Sequence, residues 1–320
     1  MEISSLTDNK LWLAPLAGYT DNTFRTIAKK CGVDVLVSEM VSADGLYYNL
    51  ENSLQYASFD EYQRPFGVQL FGSDPDMMAK GAEIVSRLNP DFIDINMGCP
   101  VKKVINRMAG SALMKDIDLA CRITEAVKKV VQRHNSLVTT KFRSGWDLES
   151  INYLPFGKAL ENSGSDALIL HPRTRSQMFT GRSNWEHIKT LKENVKIPVV
   201  GNGDIKDVSG AEKIYNFSLC DSIMIGRGAL GKPWIFQEIK NHFLNQDKHI
   251  NKLQIVLEHY ELALKNSKSD DKLHAVREMR SHFTHYSKGI RGGAQLRDEI
   301  NHTNDPDTIY KIINKLEFNY

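Results

Sequence analysis

Residues 197–231 read IPVVGNGDIKDVSGAEKIYNFSLCDSIMIGRGALG. Two short apolar runs, each ending in glycine, enclose one helix-like segment. The last six residues, GRGALG at 226–231, literally match GxGxxG after a strand, and alone they would suggest a dinucleotide-binding turn. That fingerprint belongs to the first strand–helix unit of its domain. Here it closes the eighth such unit and runs into KPW. Position decides against the dinucleotide reading.

The preceding units are legible by the same criterion. Short, nearly continuous apolar runs recur as LWLAP (11–15), DVLVSEM (34–40), FGVQLF (66–71), FIDINMG (92–98), VTTKFRSG (138–145) and ALILHPR (167–173), before IPVVGNGD (197–204) and SIMIGRG (222–228). Such runs are expected of parallel strands covered by helices. Between them lie segments such as MMAKGAEIVSRL (77–88) and DLACRITEAVKKVVQRH (118–134), with apolar residues three and four apart. The pattern predicts an α/β fold, a (β/α)8 TIM barrel; a doubly wound sheet is the alternative. Polar residues favour the barrel, because one stands at each strand end: Pro15, Glu39, Gln69, Asn96, Lys141, His171, Asn202 and Arg227. Barrel active sites are built from those ends.

After about Lys240 the strand signal stops. LQIVLEHYELALK (253–265), LHAVREMRSHFTHYSKGI (273–290), GGAQLRDEIN (292–301) and DTIYKIINKLEF (307–318) read as helices. The expected organisation is a barrel over 1–240 and a small all-helical C-terminal domain over 241–320.

Composition agrees with a globular protein: of 320 residues, 41% are hydrophobic and 25% charged, and the net charge is +2. That charge is too small to mark a nucleic-acid protein, so such a site must come from local clustering. No apolar run approaches the ~18–20 residues of a membrane span, and MEISSLTDNK carries no signal-like apolar core. The four cysteines, Cys31, Cys99, Cys121 and Cys220, show neither CxxC nor zinc spacing. A reduced, cytoplasmic setting with no metal and no membrane contact is expected.

Two features point to chemistry. Loops after the seventh and eighth strands of a barrel often hold a phosphate. GNGD (201–204) and GRG (226–228) provide both, with Arg227 for a charge-assisted contact. The other feature is Cys99 in FIDINMGCPVKKVINRMAGSALM (92–114), a lone thiol at a strand end between Gly98 and Pro100, with Lys102 and Lys103 close behind. The remaining cysteines read as small buried apolar residues.

The strings LAPLAGYTD (13–21), QLFGSDP (69–75), INMGCPVKKV (95–104), KFRSGWD (141–147), HPRTRSQMFTG (171–181), PVVGNGDI (198–205) and MIGRGALGKPWIF (224–236) closely resemble the tRNA-dihydrouridine synthases in their B-type bacterial branch. MRSHFTHYSKGIRGGAQLRDEIN (279–301) resembles that branch's helical domain. The resemblance implies an FMN enzyme that reduces the C5=C6 bond of particular uridines in tRNA with NADPH (or NADH) as electron donor. It implies that Pro15, Leu16 and Ala17 lie against the flavin, that Gln69 and Lys141 bond its pyrimidine edge, and that His171 stands nearby. Asn202, Gly203, Asp204, Gly226 and Arg227 would hold ribityl and phosphate, and Cys99 would be the general acid.

The chemistry is consistent with these assignments. Hydride delivery to C6 of a uracil leaves charge that must be quenched by a proton at C5, and a thiol with an ordinary pKa near ~8.5 is protonated at neutral pH. Lysines pointed at Cys99 would favour the thiolate, so Lys102 and Lys103 are expected to face RNA instead. A lysine within VTTKF must meet something polar or anionic, as reduced flavin is. Asn96 offers a donor and an acceptor to a uracil edge. Arg173 and Arg175 stand at the mouth, and Arg280, Lys288, Arg291 and Arg297 could give the tail a basic face; a solvated helix surface is the alternative for these four. Two other functions remain open: a flavin oxidoreductase for a free pyrimidine or small enone, and an RNA-binding protein without chemistry.

Overall fold

The computed structural model describes residues 1–267 and 272–316. Eight strand positions make a parallel barrel: β1 (Leu11–Leu13), β2 (Leu36–Val37) with its continuation β3 (Val41–Ser42), β4 (Phe66–Phe71), β5 (Phe92–Met97), β6 (Leu137–Arg143), β7 (Ala167–His171), β8 (Val199–Asn202) and β9 (Ser222–Ile225). The order runs β1-β9-β8-β7-β6-β5-β4-β2, and a Trp12–Val35 bridge brings the first strand back to the second. The expected run 34–40 is split: Leu36 and Val37 pair with Phe66 and Gly67, whereas Val41 and Ser42 pair with Leu70 and Phe71. At this break Ser38 Oγ donates to the Glu39 carbonyl and accepts from Gln69 N–H at 2.9 Å.

Inside, the barrel is layered. Trp12, Val35, Val37, Phe92, Ile169, Val200 and Met224 form one apolar cluster, to which Leu6 is added from the helix Ser4–Thr7. Trp12 packs on Phe92 with ring centroids 5.3 Å apart and donates its indole N–H to Leu6 O at 2.9 Å. The side chains of the opposite pleat, such as Ile93, Ile95, Leu168 and Leu170, belong to the larger core shared with the surrounding helices. Those helices begin where the sequence supplies caps: Asp74 accepts from Met77 N–H at 2.8 Å and Asp116 from Leu119 N–H at 2.9 Å.

Beyond β9 come the helices Ile235–Phe243, Lys252–Asn266, Leu273–Tyr286, Gly293–Asn301 and Pro306–Ile313. The last two positions of the helix read at 307–318 lie outside the described residues. The later helices share a second core around Val256, Tyr260, Val276, Phe283 and Ile309, which takes in Ile27 of the barrel helix Asn22–Lys30 and Cys31 just after it. Two glycines of GRGALG allow close backbone approaches, Gly228 within the barrel and Gly231 to the tail. A Cβ on Gly228 would stand 2.2 Å from Ile205 O, and one on Gly231, at φ +71°, 2.4 Å from the backbone of His285. Among the described residues, no helix is long and apolar enough to cross a membrane.

Candidate active site

On β5, Asp94 and Asn96 alternate with Ile93 and Ile95, which belong to the core under the helices, so the polar pair faces the barrel interior. Asp94 is fully buried and accepts from Thr139 Oγ1 and from Gln69 Nε2, both at 2.6 Å. Asn96 Nδ2 donates to Gln69 Oε1 at 2.8 Å, and Asn96 Oδ1 accepts from Gly98 N–H at 3.1 Å and Cys99 N–H at 2.9 Å. A continuous hydrogen-bonded chain thus runs from β6 through β5 and β4 to the loop that carries the cysteine. Burial raises the Asp94 carboxyl, against the hydrogen bonds from Gln69 and Thr139 and the charge of Lys141.

Lys141 Nζ donates to Asn202 Oδ1 at 3.2 Å, and Asn202 Nδ2 donates to Met224 O at 2.6 Å, which links β6, β8 and β9 across the mouth. Burial and Arg143 lower the lysine's pKa, while Asp94 and Cys99 oppose the shift. His171 is buried, and desolvation together with the cations Lys141, Arg143, Arg173 and Arg227 keeps it neutral.

Cys99 is half-buried and reduced. Its carbonyl accepts from Ser111 N–H at 3.0 Å and Ser111 Oγ at 2.9 Å, which ties the loop down on its far side. Burial raises the thiol pKa, outweighing the Val101 N–H and the charges of Arg143 and Lys141. The thiol therefore stays protonated at neutral pH. Lys102 and Lys103 are exposed on the helix Lys102–Ile105, and the cations that act on the thiol are strand residues instead.

The glycine loops meet beside this mouth. Among the described residues, the backbone N–H groups of Gly203, Asp204 and Gly226 have no acceptor. Arg227 lies with its guanidinium 4.4 Å from the Phe179 ring centroid, 3.7 Å from Asp204, and 47% of its side chain exposed. Free N–H groups next to an accessible arginine are what a phosphate needs. On the first strand's loop, Pro15 and Leu16 are half-buried and Ala17 is exposed.

Other expected contacts are differently employed. Arg173, expected to meet RNA, is 2% exposed, and its guanidinium donates to Thr180 O, Gly181 O, Ser183 Oγ and both oxygens of Asp204. With its donors committed, it fastens the loop after β7 rather than reaching outward. Asp204 is correspondingly occupied by Arg173 and Ser183; burial opposes ionisation, but these bonds hold its carboxyl below the usual range. In the tail, Arg280 donates to Thr303 O and Asn304 Oδ1, and Arg297 to Ser287, so both brace helices. Only Lys288 and Arg291 of the four are exposed.

Sequence reasoning passed over Asp94, Arg143 and Phe179. Asp94 was visible as a carboxylate in an apolar strand. Arg143 is buried and donates to Gly98 O at 2.8 Å and to Thr174 O and Met178 O, each at 2.9 Å, which joins the Cys99 loop to the loop after β7. Phe179 gave no signal, since its role depends on the arginines that fold around it.

Fold and site define a (β/α)8 barrel with a polar floor, a protonated thiol and two glycine-bearing loops with unbonded N–H groups at one mouth. The family model for dihydrouridine synthase (Dus) matches residues 12–317. A tRNA-dihydrouridine synthase B of Pseudomonas aeruginosa is 39% identical over 305 residues, 93% of this chain and 90% of that protein. A probable tRNA-dihydrouridine synthase of Rickettsia bellii is 38% identical over 301 residues, 92% of this chain and 90% of its own length. Among solved structures, the old yellow enzyme homologue of Zymomonas mobilis shares the fold with TM-score 0.50 at 14% identity, over 76% of this chain and 91% of that one. The chain belongs to the dihydrouridine synthase family.

Proposed function

We propose that this protein is an FMN-dependent tRNA-dihydrouridine synthase that reduces the C5=C6 bond of uridines in tRNA with NADPH or NADH. The observation that carries the reading is the Cys99 thiol, held protonated by burial on a loop tied to Asn96 and Ser111. FMN fits the mouth: the free N–H groups of Gly203, Asp204 and Gly226 with Arg227 would receive its phosphate, and Asn202 the ribityl chain. Pro15, Leu16 and Ala17 would line the ring, Gln69 and Lys141 its pyrimidine edge, with His171 alongside. When bound, FMN would supply the hydride that reaches C6 of the uracil.

Cys99 then gives its proton to C5, so one hydride and one proton complete the saturated bond. Lys141, still able to carry charge, stabilises negative charge in the mouth, including the thiolate left when Cys99 has given up its proton. Neutral His171 adds a hydrogen-bonding group without a second positive charge. Arg173 and Arg143 hold the surrounding loops so that Cys99 keeps its position.

The barrel, residues 1–240, would carry the chemistry, and residues 241–320 would hold the RNA body through Lys288 and Arg291. A uridine stacked in folded tRNA must be turned out, at a cost of a few kcal/mol that binding elsewhere on the RNA can offset. The setting would be cytoplasmic. Purified protein should be yellow and should form dihydrouridine on transcribed tRNA but not from free uridine; turnover of free uridine alone would replace the reading with a small-molecule flavin oxidoreductase.

A further inference from the structure

A cleft of about 520 Å³ is lined by Met114, Lys115, Trp146, Asp147, Ser150, Ile151 and Asn152. Its lining comes from two connections, and a third packs beside it. Lys115 ends the short helix Gly110–Lys115, which follows Cys99; Trp146 follows β6; and the loop after β7 is laid against it, with Arg175 N–H donating to Gly145 O and Ser176 N–H to Trp146 O, each at 2.9 Å.

Two cations pack on one indole there. Lys115 Nζ is 3.9 Å and the Arg175 guanidinium carbon 4.5 Å from the Trp146 ring centroid. Arg175 differs from its neighbour Arg173: among the described residues no group accepts from its side chain, and its Nε is buried without a partner. Across the cleft, Asn152 Nδ2 donates to Met114 O at 2.7 Å, which leaves Oδ1 buried and equally unpartnered. Asp147 is the one acidic residue of the lining; its carboxylate accepts from Ser150 N–H at 2.9 Å and Ser150 Oγ at 2.6 Å, so it is occupied, and two cations exceed its charge.

Buried polar atoms without partners mark places where a ligand completes the bonding. The site offers cationic donors, pre-oriented on an aromatic face, for an anion, and an amide acceptor for a hydroxyl. A ribose-phosphate unit has both, the phosphate for Arg175 and Lys115 and the 2′-OH for Asn152. We propose that this cleft holds a ribose-phosphate unit of the tRNA backbone next to the uridine presented to Cys99. The inference rests on the tRNA reading above. NADPH carries the same chemical unit, and the test separates the two.

Lys115→Gln/Arg175→Gln is compared with Lys129→Gln/Lys196→Gln, which removes two exposed charges near the opposite ends of the strands. tRNA affinity is titrated at several salt concentrations, and flavin bleaching by NADPH is followed without RNA. The first variant should bind tRNA at least about tenfold more weakly than the control variant. Its salt dependence should be shallower by about one to two units of logarithmic slope, while the bleaching rate and its NADPH dependence stay at wild type. Asn152→Ala should weaken binding without changing the salt slope. Equal affinity of the two double variants for tRNA that the wild type modifies would overturn the site, as would an altered NADPH dependence with unchanged tRNA binding. Failure of the wild type to bind tRNA would instead remove the functional reading beneath it.

Discussion

Asn96 Oδ1 accepts from the backbone N–H of Cys99 at 2.9 Å, while Asn96 Nδ2 is spent on Gln69 at 2.8 Å. The amide that a uracil edge was expected to use therefore also sets the position of the thiol. Its remaining capacity is small, because Gly98 N–H takes the same oxygen. Asn96→Ala should slow oxidation of the reduced enzyme by tRNA about 10- to 100-fold, as two loop hydrogen bonds of ~1 kcal/mol each are lost. Flavin bleaching by NADPH should be unaffected. Asn96→Asp keeps the acceptor and should recover part of the rate; single-turnover kinetics on both variants reads this out, and a wild-type rate in Asn96→Ala would show the cap to be idle.

Arg227 reaches out beside the free N–H groups of the two glycine loops. Its partial exposure puts its contact to a phosphate at the low end of the ~1.5–3 kcal/mol range of charge-assisted bonds. Arg227→Ala should lose bound flavin about tenfold more readily on dialysis, measured by absorbance per mole of protein. Unchanged retention would move the phosphate elsewhere.

The four tail cations separate into two pairs. Lys288→Ala/Arg291→Ala should weaken tRNA binding and flatten its salt dependence with little effect on stability, because both side chains are exposed. Arg280→Ala/Arg297→Ala removes hydrogen bonds to Thr303, Asn304 and Ser287 and should lower the melting temperature instead. Thermal melts and tRNA titrations on both variants distinguish the pairs; identical behaviour would show the division to be wrong.

Sequence and structure diverge for a physical reason that this division illustrates. The barrel was legible because covered parallel strands are mostly apolar, and the candidate site residues because polar side chains stand out against that background. What a given polar residue does there depends on partners brought from other strands. Arg173 and Arg175 stand two residues apart and read alike, yet one is wrapped by five acceptors and the other lies on Trp146 with none among the described residues. The split of the second strand rests on a local bond, Ser38 to Glu39, that no periodicity records. Periodicity likewise says nothing of His259 and His282, which are buried against Tyr286 and Phe24.

That histidine pair gives the fold an acid limit. The rings lie 4.6 Å apart between the tail and the helix Asn22–Lys30; burial and then His285 push His282 down to about 4, and burial and then His282 hold His259 well below 6.5. Folded, both stay neutral, whereas the unfolded chain takes up protons below its ordinary pKa of about 6.5. The pair contributes no pH dependence above that value. Stability is lost as pH falls from about 6.5 towards 4, by up to ~1.4 kcal/mol per pH unit for each histidine. Urea unfolding across this window should show the slope, and His282→Gln should reduce it by about one proton; a flat profile in the wild type would contradict the burial argument.

The central claim is that Cys99 delivers the proton that completes reduction of a tRNA uridine. The direct measurement is dihydrouridine formed on unmodified transcribed tRNA by wild type and Cys99→Ala, each with its flavin first reduced by NADPH. Both should bleach equally, and the variant should then form product about 10²- to 10⁴-fold more slowly. Dihydrouridine made by Cys99→Ala at the wild-type rate, or none made by the wild type on any tRNA, would contradict it.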